Sequence, residues 1–465
     1  MRSPCALFGC LSALLGLHLV SACNLDNVGD PPPDADIYFP TGLFLSGQSE
    51  DSAPRFLYLL NSNFDLRYNR GSVQAFELDA LDVKLKECTG SGLSCQVESR
   101  DVLVDEVLVP SLATSYNVSP DRKRLYLATR TDPSLLFIDL DETTMDREAV
   151  LDCEEGPERR CSDGRRRGAD SSENARGAVF PGEPVSMVSL RAAAAAPGLD
   201  ASSASGDFLM VAHRWGQVSL FHDQGGSEGP KLIHVLDQLP LEPTGIEFDP
   251  MSHLVYLSLY NRNAPNGTTR TLSRVGLSVE GEGAALEASY TYDVGSVVID
   301  GVAPQRNTRA LRMNPSHEGQ LLVTGDRPAS LLFVDVAGGS NSGVGLASQT
   351  VPARKVVTVG DGPMRMTLGK IGEREIVAVS CFDAKQLYLI DAARSTIVGV
   401  LHNLNGPFDL AIDSVRKRLY LSDFRSSAVL VVDLSNLAEQ GAGPEETDLP
   451  IIGMLGIPKV VQELQ

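Results

Sequence analysis

From residue 37 onwards, apolar positions fall in short runs, alternating or continuous, each bordered by Pro, Gly, Asn, Asp or Ser. Runs of this length with such borders predict strands and turns. They recur as a theme in three parts. A first strand starts near Pro or a small residue, as in "PTGLFLSG" (40–47), and returns at 113–121, 184–190, 243–250, 308–315, 363–369 and 407–413. A second reads like "KRLYLAT" (123–129), with counterparts at 55–61, 207–213, 253–259, 319–325, 375–381 and 417–423. A third is an apolar run such as "SLLFIDL" (134–140), repeated at 71–78, 216–222, 272–277, 330–336, 385–391 and 428–434. Seven units result, their starts 44 to 73 residues apart.

The second and seventh units share an identical stretch, "RKRLYL", at Arg122–Leu127 and Arg416–Leu421. In this strand Leu125 and Leu127 fall on one side and Tyr126 and Ala128 on the other, so both sides avoid water. A sheet built of such strands must be covered on both faces. Seven small sheets that each need two neighbours are satisfied by closing into a ring, whereas an open stack leaves two uncapped ends. The expected fold is therefore all-β: a seven-bladed β-propeller of four-stranded antiparallel blades, a single domain over 37–465. Two irregular insertions, 141–183 (charged) and 191–206 (Ala- and Ser-rich), are expected as loops on the rim. The apolar tail 449–461 is expected to close the ring, as an outer strand of the last sheet or beside 36–39.

The stretch "NVSPDRKRLYLATR…SLLFIDL" resembles the YVTN-type propeller repeat, whose core runs Pro, strand, Pro-Asp-Gly, Leu-Tyr-Val and a strand ending in Ile-Asp. The resemblance spans about 37–461 and is looser in the third and fourth units. Families with this repeat include surface and periplasmic proteins and lactonase-like propellers. The resemblance implies architecture more than activity, because one fold hosts many functions.

The first 22 residues have the form of a signal segment: Arg2, an apolar run over 6–20, then "VSAC" ending at Cys23. This resembles the bacterial lipobox. The resemblance implies cleavage before Cys23 and lipid attachment to its thiol, with each buried CH₂ adding about 0.8 kcal/mol to anchoring. Residues 23–36, "CNLDNVGDPPPDAD", are too polar to bury a core and are expected to form a flexible Asp/Pro-rich tether. The protein is thus expected at the bacterial cell envelope, on the outer membrane or periplasmic face.

Sixty acidic against 40 basic residues leave a net charge of −20, which disfavours nucleic acid as a partner. Beyond Cys5, Cys10 and Cys23, the cysteines form two close pairs, Cys88 with Cys95 and Cys153 with Cys161, plus Cys381 alone. In an exported protein the pairs are disulfide candidates that pin local loops, and Cys381 is expected as a buried free thiol. The cluster Arg159, Arg160, Arg165, Arg166 and Arg167 is expected as a solvated charge block.

Catalytic signatures are missing. There is no P-loop, GxGxxG, HExxH or EF-hand loop, and the one G-x-S-x-G, "GGSEG" (225–229), lies in a glycine-rich turn where no nucleophile elbow forms. No catalytic residue, metal or cofactor is assigned. The candidate binding residues sit near the starts of the first strands, where the ring's axial channel opens: Thr41, Thr114, Ser186, Thr244, Arg309, Arg365 and Asp409. Arginines and hydroxyls at a channel mouth suit a small anion or sugar; the bland alternative is that they bond neighbouring loops and hold the ring shut. The function expected is a monomeric, membrane-anchored scaffold binding an envelope protein or glycan. The alternative is a lactonase-like hydrolase acting at the channel.

Overall fold

The computed structural model describes residues 29–457 apart from 48–51, 89, 91, 144–149, 157, 196–204, 238, 240–241, 261–270, 281–288, 304, 306, 337–347 and 440–448. Among the described residues the strands form six sheets of four, five, four, eight, four and five strands; the eight-stranded sheet is two four-stranded antiparallel units joined by a parallel pairing of Ser289–Asp300 with Gln349–Thr358, and the resulting units are here called blades 1 to 7. Their innermost strands are Pro40–Leu45, Ala113–Val118, Pro184–Arg191, Glu242–Asp249, Thr308–Met313, Pro363–Ile371 and Pro407–Asp413. Each packs beside the next, and the seventh returns to the first, so the ring closes.

The second and third strands of the blades are largely buried on both faces. Seven apolar clusters fill the seven gaps between neighbours. The duplicated "RKRLYL" shows why the sequence repeats. Leu125 and Leu127 pack towards blade 1 while Tyr126 packs towards blade 3. In the seventh blade Leu419 and Leu421 face blade 6, and Tyr420 faces blade 1. The second arginine of each copy also reaches the following blade. Arg124 binds Asp223 at 2.8 Å, and Arg418 binds Asp82 on the helix Leu78–Glu87. The two identical strands thus occupy the same place in two blades and make the same three contacts.

Blade 7 takes its four antiparallel strands from the C-terminal part of the chain. The outer strand of blade 7, Ile451–Leu455, comes from the C-terminal tail and pairs antiparallel with Ala428–Asp433. Its free edge is covered by Gln96–Val97 from blade 1, running parallel, with Met454 N–H donating to the Cys95 carbonyl at 2.9 Å. That short strand is held by the Cys88–Cys95 disulfide. The link between the first and last blades is therefore a disulfide-braced loop, and this bridge does more than pin its own loop.

Two expectations are corrected. The insertion 141–183 is more than a rim loop: Leu151–Asp152 and Arg166–Arg167 pair with Leu135–Leu140 and supply the outer edge of blade 2. The Cys153–Cys161 disulfide lies between these pieces, and both cysteines are buried in the core between blades 1 and 2. Residues 29–36 of the expected tether lie on the body. Asp30 bridges Tyr68, Asp34 pairs with Arg159, and the buried Ala35 donates its N–H to the Glu106 carboxylate at 3.3 Å. A proline-rich segment is already extended and loses little freedom on docking. The signal segment, Cys23 and the start of that tether lie outside the described residues.

Candidate functional site at the axial mouth

Every innermost strand begins with a break in register, between Pro40/Gly42, Ala113/Ser115, Pro184/Ser186, Pro243/Gly245, Thr308/Leu311, Pro363/Arg365 and Pro407/Leu410. Such bulges re-aim side chains, and proline suits a strand start because it has no N–H to place in a ladder. The residues within these bulges include Thr114, Val185, Thr244, Arg309, Met364 and Phe408, and all six line a cavity of about 670 Å³ at that end of the axis. A second cavity, about 350 Å³, continues down the axis between the strands.

Thr244, Arg309, Met364 and Arg365 line both cavities and form the constriction between them. Arg365, from blade 6, reaches across to donate to the main-chain carbonyl of Thr114 in blade 2 at 2.7 Å, with its guanidinium 5.7 Å from the Phe408 ring centre. Arg309 contacts the Met364 sulfur and lies 3.9 Å from Asp326. The mouth is therefore a funnel whose floor carries two cations.

The other candidate residues have structural work. Thr41 Oγ1 donates to the Ala113 carbonyl at 2.6 Å, and Thr244 Oγ1 donates to the Thr308 carbonyl, each tying one blade to the next. Asp409 accepts from the Leu43 N–H at 2.9 Å and from the Tyr116 hydroxyl at 2.6 Å, joining blades 7, 1 and 2. Burial and the Asp409 carboxylate raise the Tyr116 phenol well above its ordinary pKa. Ser186 lines the axial channel, and Thr114 the mouth. The seven candidates thus divide between latches and cavity lining.

Three more arginines, Arg130, Arg214 and Arg327, stand around the funnel. Each comes one or two residues after a second strand ends, and antiparallel pairing brings those turns to the same end as the inner-strand starts. That position was a readable signal. Five arginines against three carboxylates (Glu242, Asp326 and Asp383) line the mouth of a chain whose net charge is −20. Arg130 pairs with Glu183 and Arg214 lies 3.9 Å from Glu242. Arg327 is exposed and has no ion pair or hydrogen bond among the described residues.

One flank is aromatic. Phe39, Phe64, Phe424, Phe408 and Phe382 form a continuous set with ring centres 5.2–6.4 Å apart. Phe64 and Phe408 face the cavity, and Phe64 is 53% exposed.

No protein-family model and no curated protein matches the chain by sequence. In structure it is similar to the β-propeller domain of Cps50 (Swd1) from Myceliophteria thermophila, with a TM-score of 0.51 at 12% identity, covering 85% of this chain and 96% of that one. It is equally similar to a 6-phosphogluconolactonase candidate from Bacteroides fragilis, TM-score 0.51 at 12% identity, covering 91% and 99%. The chain is a β-propeller.

Elsewhere in the propeller, the arginine cluster of the insertion is not a solvated block. Arg165, its side chain 4% exposed, bonds Asp139 at 2.6 Å and Asp152 at 3.3 Å, and lies 3.4 Å from Glu154. Arg166 pairs with Asp132 at 3.0 Å, Arg159 with Glu106 at 3.2 Å, and Arg160 lies 3.9 Å from Asp163. Arg167 donates to the Glu228 carbonyl at 2.9 Å. The carboxylates were scattered along the sequence, so the pairing was invisible there. Cys381 is free and buried, and burial pushes its thiol up to about 12. Ser227 of "GGSEG" sits in a turn after Gln217–Asp223. Among the described residues no three His, Cys, Asp or Glu side chains converge.

Proposed function

We propose that this β-propeller is a lipid-anchored binding scaffold of the bacterial cell envelope, built from YVTN-type repeats, that recognises an anionic partner through its arginine-lined mouth. The observation that carries the reading is charge contrast: five arginines gather at the axis of a strongly acidic protein. The five arginines outnumber the three carboxylates of the lining, and a concave site with an excess of positive charge favours ligands of the opposite sign. The lipobox-like "VSAC" and the two disulfides support an exported, anchored protein.

Titration calorimetry with glucuronate and with glucose tests the mouth. Heat from the acid alone, lost in Arg309→Gln, supports the reading; equal binding of glucose, or no heat from either sugar, overturns it. Cys23→Ala tests the anchor. The expected result is loss of fatty-acid labelling and release into the soluble fraction, and persistent labelling removes the lipid from the account.

A lactonase-like hydrolase is the second reading, favoured by Arg309 and Arg365 standing where the mouth meets the axial channel, a geometry suited to a phosphorylated sugar. Acid release from 6-phosphogluconolactone above the spontaneous rate is the result that would put it first.

A further inference from the structure

We infer that the mouth takes a small two-part ligand, an anionic head joined to a flat apolar body, with the head on Arg309 and Arg327 and the body against Phe64 and Phe408. This rests on the reading of the mouth as the recognition surface and goes further by naming the ligand's shape and chemistry.

Three observations point to it. The funnel is two-sided: cationic groups come from the floor and from the turns of blades 2, 3 and 5, while the phenylalanines come from blades 1, 6 and 7. A simple anion uses only the first side, and a neutral apolar molecule only the second. Size and closure argue for a small molecule. The cavity of about 670 Å³ lies in the usual range for small-ligand sites, and Arg365 spans the axis beneath it, so a polypeptide cannot thread through.

The aromatic side is also poised for a partner. Phe64 presents more than half its surface to solvent while resting edge-on against Phe424, ring centres 5.5 Å apart. Covering an exposed aromatic removes apolar area from water and allows ring stacking. On the opposite side Arg327 has no partner among the described residues, and Arg309 holds Asp326 only at 3.9 Å. Both have donors to offer an oxyanion, and a guanidinium–oxyanion bond in a partly enclosed site is the stronger kind of hydrogen bond.

The protein carries its own reporter. Trp215, its single tryptophan, is 59% exposed and lies beside Arg214 of the funnel rim, 5.9 Å from guanidinium to ring. The mature protein is titrated with 1-anilinonaphthalene-8-sulfonate, whose sulfonate and fused rings are the two parts. It is then titrated with N-phenyl-1-naphthylamine (rings only) and with sodium sulfate (anion only). The expected result is saturable one-to-one binding of the sulfonate with energy transfer from Trp215, at least tenfold tighter than either part alone. Arg327→Ala and Phe64→Ala, both at exposed positions, should each weaken it several-fold with an unchanged circular-dichroism spectrum. Equal affinity for the neutral amine, or wild-type binding by the Arg327→Ala/Phe64→Ala double variant, overturns the inference. Sulfate binding as tightly as the aromatic sulfonate also overturns it but leaves the anion-binding mouth intact. Silence from both anions removes both.

Discussion

The hydroxyl of Tyr116 in blade 2 donates to the carboxylate of Asp409 in blade 7 across 2.6 Å, although blade 1 stands between the two in the ring. The same carboxylate oxygen also takes the Leu43 N–H of blade 1, so one buried acid holds three consecutive blades where the chain's two ends meet. Hydrogen bonds to a charged group contribute about 1.5–3 kcal/mol. Tyr116→Phe keeps the ring and deletes the hydroxyl, which also lies 2.7 Å from the Leu43 carbonyl of blade 1. Urea unfolding should show a loss of about that size, and an unchanged midpoint would mean the closure does not depend on the latch.

The second closure element is the loop braced by Cys88–Cys95, whose Gln96–Val97 strand covers the edge of Ile451–Leu455. Cross-linking so short a loop is worth about 2.5 kcal/mol on the chain-entropy model. Cys88→Ser/Cys95→Ser should therefore lower stability by roughly that amount, and amide exchange should rise in 451–455 before it rises in any other outer strand. Uniform exchange across the outer strands would show that the loop braces only itself.

Acid should weaken blade 3. His213 is buried against Phe180, with Nδ1 3.1 Å from the Gly182 carbonyl and Nε2 2.8 Å from the Ser219 hydroxyl, and burial lowers its pKa to about 4. The unfolded chain binds a proton near pH 6.5 that the folded chain refuses until about pH 4. Stability from this group is complete above 6.5 and is lost as pH falls towards 4, by at most about 3 kcal/mol. Comparing wild type with His213→Asn at pH 7 and pH 4.5 isolates it from other groups. The variant should lose less between the two pH values, and equal losses would contradict the assignment.

Arg165 holds the insertion to blade 2 through Asp139 of Leu135–Leu140 and ties its two short strands together through Asp152. Arg165→Met leaves a half-exposed Asp152 without its cation, while Asp139 keeps Arg124 at 2.6 Å. Breaking a fully buried pair from one side typically costs about 3–5 kcal/mol, and this retained partner puts the loss below that range, at about 1–2 kcal/mol. Limited proteolysis should cut between 150 and 178 in the variant far faster than in wild type. Equal resistance would show that the disulfide and the Phe180 side chain suffice.

Strand order was readable because the second and third strands of the blades are largely buried on both sides, which leaves continuous apolar runs, as in Phe56–Asn61, Arg124–Thr129 and Gln320–Gly325. The outer strands were not: Gln349–Thr358 presents mostly exposed and half-buried positions and carries Lys, Arg and Pro. In blade 2 the outer strand is reduced to two pairs of residues inside a charged insertion. The helix Leu78–Glu87 buries only Leu78 and Leu81, too little to mark itself against the strand before it. At the mouth, the strand starts led to Arg309 and Arg365. They did not separate latch from lining, because the bulge decides where a side chain goes and leaves no apolar periodicity behind. Arg327 and Phe64 lie in turns, where sequence patterning says least.

The seven bulges have an evolutionary corollary. Their lining residues (Thr114, Val185, Thr244, Arg309, Met364 and Phe408) range from hydroxyl to cation to aromatic ring, yet each strand that follows pairs antiparallel with the second strand of its blade. Because each irregular step falls before the regular ladder resumes, what a strand shows to the vestibule can drift without disturbing how its sheet stacks. On the proposed reading of the mouth as a recognition site, single substitutions at a handful of addresses would change its specificity and leave its architecture untouched.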